Sequence, residues 1–262
     1  MNMTRRTFLK LAGAAALLSS ALPETVYALK AKNSAIRIPV LLYHNISNFI
    51  HDDYTVFPSS FASQMEWLHA NGYRTLAANE VEGFLKKAAG RAVMITFDDG
   101  DTSFMDHAFP LLKEYGFHAT MNIIGQAVDN HTLIEERRAV LSWDECRYLA
   151  ESGLVDLGCH SYALHSPGGV LSASYGAIKK DLALFQDKFK KELGGQSTTI
   201  AWPYGIYDNK CIEIARNAGF MHMLTSHEGY VEQGSAMSEL PRLNMNNKLD
   251  LISFQQYIGA TI

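Results

Sequence analysis

Two adjacent carboxylates, Asp98 and Asp99, close an apolar run in the segment Thr96-Phe97-Asp98-Asp99-Gly100. Like charges set side by side resist ionisation unless a cation or a hydrogen-bond donor compensates them. A metal ion is the usual compensation, and because neighbouring side chains project differently, one carboxylate can ligate while the other faces substrate as a base. A solvated Asp-Asp-Gly turn is the alternative on this motif alone. His160 and His165 follow a later apolar run, in His160-Ser161-Tyr162-Ala163-Leu164-His165. Two imidazoles and a carboxylate make a facial ligand set that leaves positions open for water and substrate. Five residues turn a regular helix by about 500°, which leaves the two rings about 140° apart. A loop or an irregular turn must therefore bring them together. A lone histidine is more often structural, but two of them at one strand end, opposite paired carboxylates, point to a site.

The elements that must position these groups alternate between short β-branched runs and helical patterns, as in a parallel α/β sheet or barrel. Strands are expected over 36–44, 73–76, 92–97, 118–124, 155–159, 198–202 and 220–225. Helices are expected over 58–71, with Phe61, Met65 and Leu68 on one face, and over 79–89, 103–115 (broken by Pro110), 142–152, 175–193 and 209–218. About seven strands with intervening helices suit a closed or nearly closed β/α barrel, whose catalytic groups gather at the C-terminal ends of the strands. The polar clusters fall there.

The N-terminus reads as an address rather than as part of the fold. Thr4-Arg5-Arg6-Thr7-Phe8-Leu9-Lys10 precedes an uncharged stretch from Leu11 to Leu22, and Val26-Tyr27-Ala28 supplies small residues for cleavage. The paired arginines resemble the bacterial twin-arginine signal, which places the product in the periplasm or outside the cell. A membrane anchor is the alternative, yet a span needs about 20 apolar residues. The expected organisation is a signal over 1–28 and one domain over 29–262, with no membrane span after cleavage. The net charge of −4 gives no basic footprint for nucleic acid. Cys146, Cys159 and Cys211 show no CxxC spacing and read as buried small residues.

Taken together, Thr96-Phe97-Asp98-Asp99-Gly100, Pro110-Leu111-Leu112-Lys113, Ala119-Thr120, Leu141-Ser142-Trp143-Asp144-Glu145 and Gly158-Cys159-His160-Ser161 resemble the polysaccharide deacetylases of carbohydrate esterase family 4, the NodB homology group. The resemblance spans nearly the whole of 29–262 and implies a distorted (β/α)7 barrel. It also implies that Asp98 is the general base and that Asp99, His160 and His165 hold a divalent metal, zinc first, with cobalt, nickel or iron(II) as alternatives. The five-residue histidine spacing, where four is common, is similar to the subgroup acting on poly-β-1,6-N-acetylglucosamine. Ala201-Trp202-Pro203-Tyr204-Gly205 resembles the family's Arg-x-Pro-Tyr motif with Ala201 in place of the arginine that tunes the base. Arg242, in Leu240-Pro241-Arg242, is the candidate substitute, with a plain surface arginine as the alternative. Tyr204 resembles the residue whose backbone N–H helps hold the oxyanion. Leu42-Tyr43-His44 is similar to the family's closing Leu-x-His motif moved to the first strand, as in circularly permuted members. His44 would then be the general acid and Leu42 part of the acetyl pocket, unless the histidine merely caps a strand. Trp143 and Trp202 are candidates to stack on a sugar, with core packing as the alternative. His222 and His227 match no family position.

The implied reaction is hydrolysis of an N-acetyl group: Asp98 takes a proton from water, His44 protonates the departing amine, and acetate leaves. The implied partner is an acetylated polysaccharide, with polysaccharide export machinery as a candidate neighbour and a monomer as the expected state. Poly-β-1,6-N-acetylglucosamine, peptidoglycan and chitin-like chains all remain open as substrates. Two other readings stand beside this one. The same fold could hydrolyse acetyl esters or small cyclic amides, or Ala201 could mark a catalytically silent carbohydrate-binding protein.

Overall fold

The computed structural model describes residues 36–50, 52–87, 90–134 and 138–260. The signal segment and its cleavage site lie outside the described residues. From Arg37 onward the chain forms one compact unit.

Its centre is a curled sheet in which β1 (Arg37–Tyr43), β5 (Arg91–Phe97), β6 (Ala119–Ile123), β7 (Val155–Cys159), β8 (Thr199–Ala201) and β9 (His222–Leu224) pair in that order, all parallel. After β9, Leu240 bridges back to Leu224, and β11 (Leu243–Asn244) pairs parallel with β1 through Leu41 and Leu42. The last strand thus returns to the first, and seven strands run round one axis. Parallel strands covered on both faces read as continuous apolar runs. Accordingly β5 is buried at every position after Arg91 and β6 at every position.

Around the sheet lie α1 (Pro58–Ala70), α2 (Val81–Lys87), α3 (Phe109–Tyr115), α4 (Gly125–Asn130), α5 (Trp143–Glu151), α6 (Tyr175–Leu193), α7 (Asn209–Asn217) and α8 (Leu251–Tyr257). Phe61, Met65 and Leu68 of α1 are fully buried, as their spacing requires. α5 starts where a capping box predicts: Ser142 Oγ accepts from Glu145 N, and the Glu145 carboxylate accepts from Ser142 N. The helix expected over 103–115 is two pieces, a π turn over Phe104–Ala108 and then α3, because Pro110 has no N–H for a continuous ladder. Short strands at Asn45–Ile46 (β2), Thr55–Val56 (β3) and Tyr230–Glu232 (β10), together with β11, α4 and α8, carry no pattern that the sequence analysis registers. The three cysteines are buried free thiols, as expected. Among the described residues no helix is long and apolar enough to cross a membrane.

Candidate metal centre and active site

All the chemistry gathers where parallel strands end. β5 delivers Asp98, whose N–H continues the ladder to Tyr43 O at 3.0 Å. Asp99 then turns at φ 77° and Gly100 at φ 83°. The turn swings the two carboxylates apart, and each meets its own arginine. Arg242 grips Asp98 with two parallel hydrogen bonds, Nη1 to Oδ1 at 2.9 Å and Nη2 to Oδ2 at 2.7 Å. Arg138 Nη2 donates to Asp99 Oδ2 at 2.8 Å. All four side chains are buried. The crowding of like charges that the sequence presents is thus relieved by two arginines before any metal is considered.

Asp98 is further held by Asn122 Nδ2, which donates to Oδ1 at 2.8 Å from β6. Asn122 lies flat against Gly158, where any Cβ would collide with its Oδ1. Arg242 is itself oriented by its Nε, which donates to Thr225 O at 2.7 Å. Burial alone raises the Asp98 carboxyl, but the charge and hydrogen bonds of Arg242, with help from His160 and His44, bring it down to about 2. The carboxylate is therefore ionised and fixed in direction at neutral pH. Ala201, where the family places its arginine, is fully buried, and its carbonyl oxygen accepts from His160 Nδ1 at 2.8 Å. The strand position is used through its backbone, and the guanidinium arrives from the far end of the chain.

That bond to Ala201 turns His160 Nε2 inward. Asp99 Oδ1 stands 3.6 Å from His160 Nε2 and 3.3 Å from His165 Nε2. In a tetrahedral site with metal–ligand bonds of about 2.0–2.1 Å, neighbouring ligand atoms lie about 3.3 Å apart. The three ligand atoms fall within 4.8 Å of one another, so the donor set fits a divalent metal. With Oδ2 taken by Arg138, Asp99 offers one oxygen. Burial raises the Asp99 carboxyl, yet His165, His44, His160 and Arg138 together hold it well below its ordinary range. Burial lowers His160 to about 4, so its imidazole is neutral, as a ligand must be.

His44 follows β1 directly, and its ring meets Tyr54 edge-on at 5.1 Å. Burial lowers its pKa, while the charges of Asp99 and Asp98 pull the other way. Leu42 is buried two residues before it. Tyr204 sits at φ 56°, its ring half-exposed and 5.0 Å from His165. Asp99, Ser161 and Tyr204 are three of the four non-glycine residues with left-handed backbones among those described, and all three border the site. Such strain collects where geometry serves function.

Of the two tryptophans, Trp202 takes the core-packing alternative. Trp202 is 1% exposed and stacks on Tyr207 at 5.3 Å, so it cannot lie against a sugar. Trp143 is partly buried against the core and donates its indole N–H to Asp129 at 2.8 Å. His222 lies at the start of β9, and the His227 carbonyl accepts from Arg242 N. Arg138 and Asn122 are site residues the sequence analysis misses. Arg138 ends the mixed-charge run Glu135-Glu136-Arg137-Arg138, which reads as a solvated loop, and Asn122 is one polar residue in an apolar strand.

Comparison with known proteins bears on the family and the fold. The polysaccharide deacetylase family model matches residues 86–223. Bacillus subtilis YxkH, of polysaccharide deacetylase type, is 30% identical over 229 residues, covering 86% of this chain and 77% of that protein. The poly-β-1,6-N-acetyl-D-glucosamine N-deacetylase of Staphylococcus aureus is 28% identical over 233 residues, covering 81% of this chain and 79% of that protein. IcaB from Ammonifex degensii superposes with a TM-score of 0.75 at 26% identity, covering 86% of this chain and 97% of IcaB.

Proposed function

Because the chain belongs to the polysaccharide deacetylase family, we propose that it removes N-acetyl groups from poly-β-1,6-N-acetylglucosamine with a divalent metal, zinc first, held by Asp99, His160 and His165. The observation that carries this reading is the convergence of the Asp99–His160–His165 donor set with an Asp98 carboxylate locked by Arg242 at the same strand ends. The staphylococcal relative, together with the five-residue histidine spacing, supports the choice of polymer.

When bound, the metal would polarise the acetamide carbonyl and acidify a water. Asp98, directed by Arg242 and Asn122, takes the proton of the attacking water. A carboxylate held near 2 is ionised and open to accept a proton throughout the neutral range. His44 gives a proton to the sugar nitrogen as the C–N bond breaks. A lowered pKa makes its imidazolium a stronger donor. The Tyr204 backbone N–H faces the developing oxyanion, and Leu42 borders the acetyl methyl. Acetate and a free glucosamine amine result.

Leu42-Tyr43-His44 on β1 would serve as the family's Leu-x-His motif in permuted order, a reading supported by β11 lying beside β1. The twin-arginine-like segment supports export to the compartment where such polymers lie. The silent-binder alternative rested on Ala201, and the ion pair of Arg242 with Asp98 speaks against it.

The test is acetate release from β-1,6-linked N-acetylglucosamine oligomers, set beside β-1,4-linked oligomers and acetylated xylan. Release should favour the β-1,6 chain, stop on chelation and return with zinc. Chelation-resistant turnover would refute the metal assignment, and a preference for either other polymer would refute the substrate.

A further inference from the structure

His160 needs little help to stand where it does: it directly follows β7, its N–H donates to Ile123 O at 2.8 Å, and its ring is fixed by Ala201. His165 has no strand or helix under it. The residues between them run through an irregular loop that begins with Ser161 at φ 68°. We propose that Asp181, on α6, is a positioning residue for the metal centre, its buried carboxylate clamping the loop that carries His165.

Asp181 Oδ2 accepts from Tyr162 N at 2.8 Å and Oδ1 from Ala163 N at 2.7 Å. Two consecutive amides therefore converge on one carboxylate, ending two residues before the ligand. Asp181 shares the buried face of α6 with Ile178, Leu182 and Phe185 and is 8% exposed. A charge in such surroundings costs several kcal/mol unless donors surround it, and here the donors are backbone amides, whose positions they in turn fix. Burial raises this carboxyl, and the amides offset that only in part.

The opposite side of the loop is held as well. Gly125 N and Gln126 N donate to Ser161 O and Tyr162 O at 3.1 and 2.8 Å. The Tyr162 ring lies so close over Gly125 that a Cβ there would come within 2.7 Å of it, and its hydroxyl donates to Asp129 at 2.7 Å. The loop is thus pinched between α4 and α6. A five-residue interval that no regular helix can close becomes a fixed span between two ligands. Asp181 acts through the backbone and does not itself face the Asp99–His160–His165 set.

The inference rests on the metal-site reading, and its test separates the two. The metal-free chain is titrated with zinc against a chromophoric chelator, as wild type, as Asp181→Asn and as Asp208→Asn. Asp208 likewise accepts an amide N–H, that of Cys211 at the start of α7. In Asp181→Asn one acceptor becomes an NH2 facing an N–H, and zinc Kd should weaken about 10–100-fold, as when other outer partners of metal ligands are removed. Asp208→Asn should bind zinc like wild type.

Unchanged Kd in Asp181→Asn, even with a lowered Tm, would mean that the residue serves stability alone and would overturn the inference while sparing the metal site. A wild-type chain that takes up no zinc would overturn both. Should Asp181→Asn fail to fold, hydrogen exchange on the wild type decides. The Tyr162 and Ala163 amides should already be protected without zinc. Protection that appears only after zinc is added would show that the metal, not Asp181, orders the loop.

Discussion

Replacing Arg242 by methionine removes the cation from Asp98 while keeping a long apolar side chain in its place. In the intact protein the guanidinium makes two hydrogen bonds to Asp98 and one to Thr225 O, and both charged groups are buried. Removing one partner of such a pair leaves an uncompensated buried charge and costs about 3–5 kcal/mol. The effect on protonation is separable. The Asp98 carboxyl lies at about 2 in the fold against an ordinary 3.8, a depression of roughly 2 kcal/mol in linked stability. Because the folded value is the lower one, that stability is complete above pH 3.8 and is lost as pH falls through 2. In Arg242→Met the carboxyl should rise by about 1–3 pH units, while burial continues to push it up. The acid limb of kcat/KM for acetate release, followed from neutral pH down to the acid limit of the fold, should move up by the same amount. Denaturant unfolding of the metal-free chain should become less dependent on pH between the two values, with the share that comes from Asp99 remaining. Arg242→Lys, with a point charge but no fork, should restore the limb better than the turnover. An acid limb that superimposes on wild type, with unchanged pH dependence of unfolding, would refute the account of Asp98.

Other consequences follow from the same contacts. Ala201→Arg, which restores the family residue, should destabilise by about 1–3 kcal/mol or more without raising kcat/KM, because the position is fully buried and both Asp98 oxygens are already engaged; denaturation and steady-state kinetics check it. Gly158→Ala should displace Asn122 from Asp98 and lower Tm. Asn122→Ala in that background should then cost little more, since the two changes remove one interaction, as a double-mutant cycle would read. His44→Gln should keep zinc affinity while kcat falls about 10²–10⁴-fold; kinetics close to wild type would remove His44 from the reaction.

The barrel was legible because its long strands are buried on both sides. Arg91–Phe97 announces itself as an apolar run and Val155–Cys159 as a shorter strand broken by the exposed Asp156, and in a parallel α/β fold their ends identify where Asp98, Asp99 and His160 must meet. A closed or nearly closed barrel was expected, but the strand that closes it was not legible, since Leu243–Asn244 is two residues long and has no period of its own. Arg242 could be named because one missing cation implied another. Arg138, Asn122 and Asp181 could not, because each matters only through a partner far along the chain, and their local surroundings read as a charged loop, a strand and a helix face. Trp202 misled for a different reason: a large aromatic ring fits a sugar or a core equally well, and only the fold decides which it meets.

The ring's closure also fixes the order in which a growing chain can assemble its active site. Arg242 and Asp98 are 144 residues apart, and β11 completes the circle only after nearly every other element has been synthesised. A nascent chain halted before Arg242 could pair most of its strands, yet it would hold Asp98 without its cation, so the pocket would resist closing dry around an unpaired carboxylate. Contacts of such long range make the last step of folding slow relative to the local helices and strand pairs. Catalytic competence and completion of the fold would then arrive together, with the buried ion pair as the final latch.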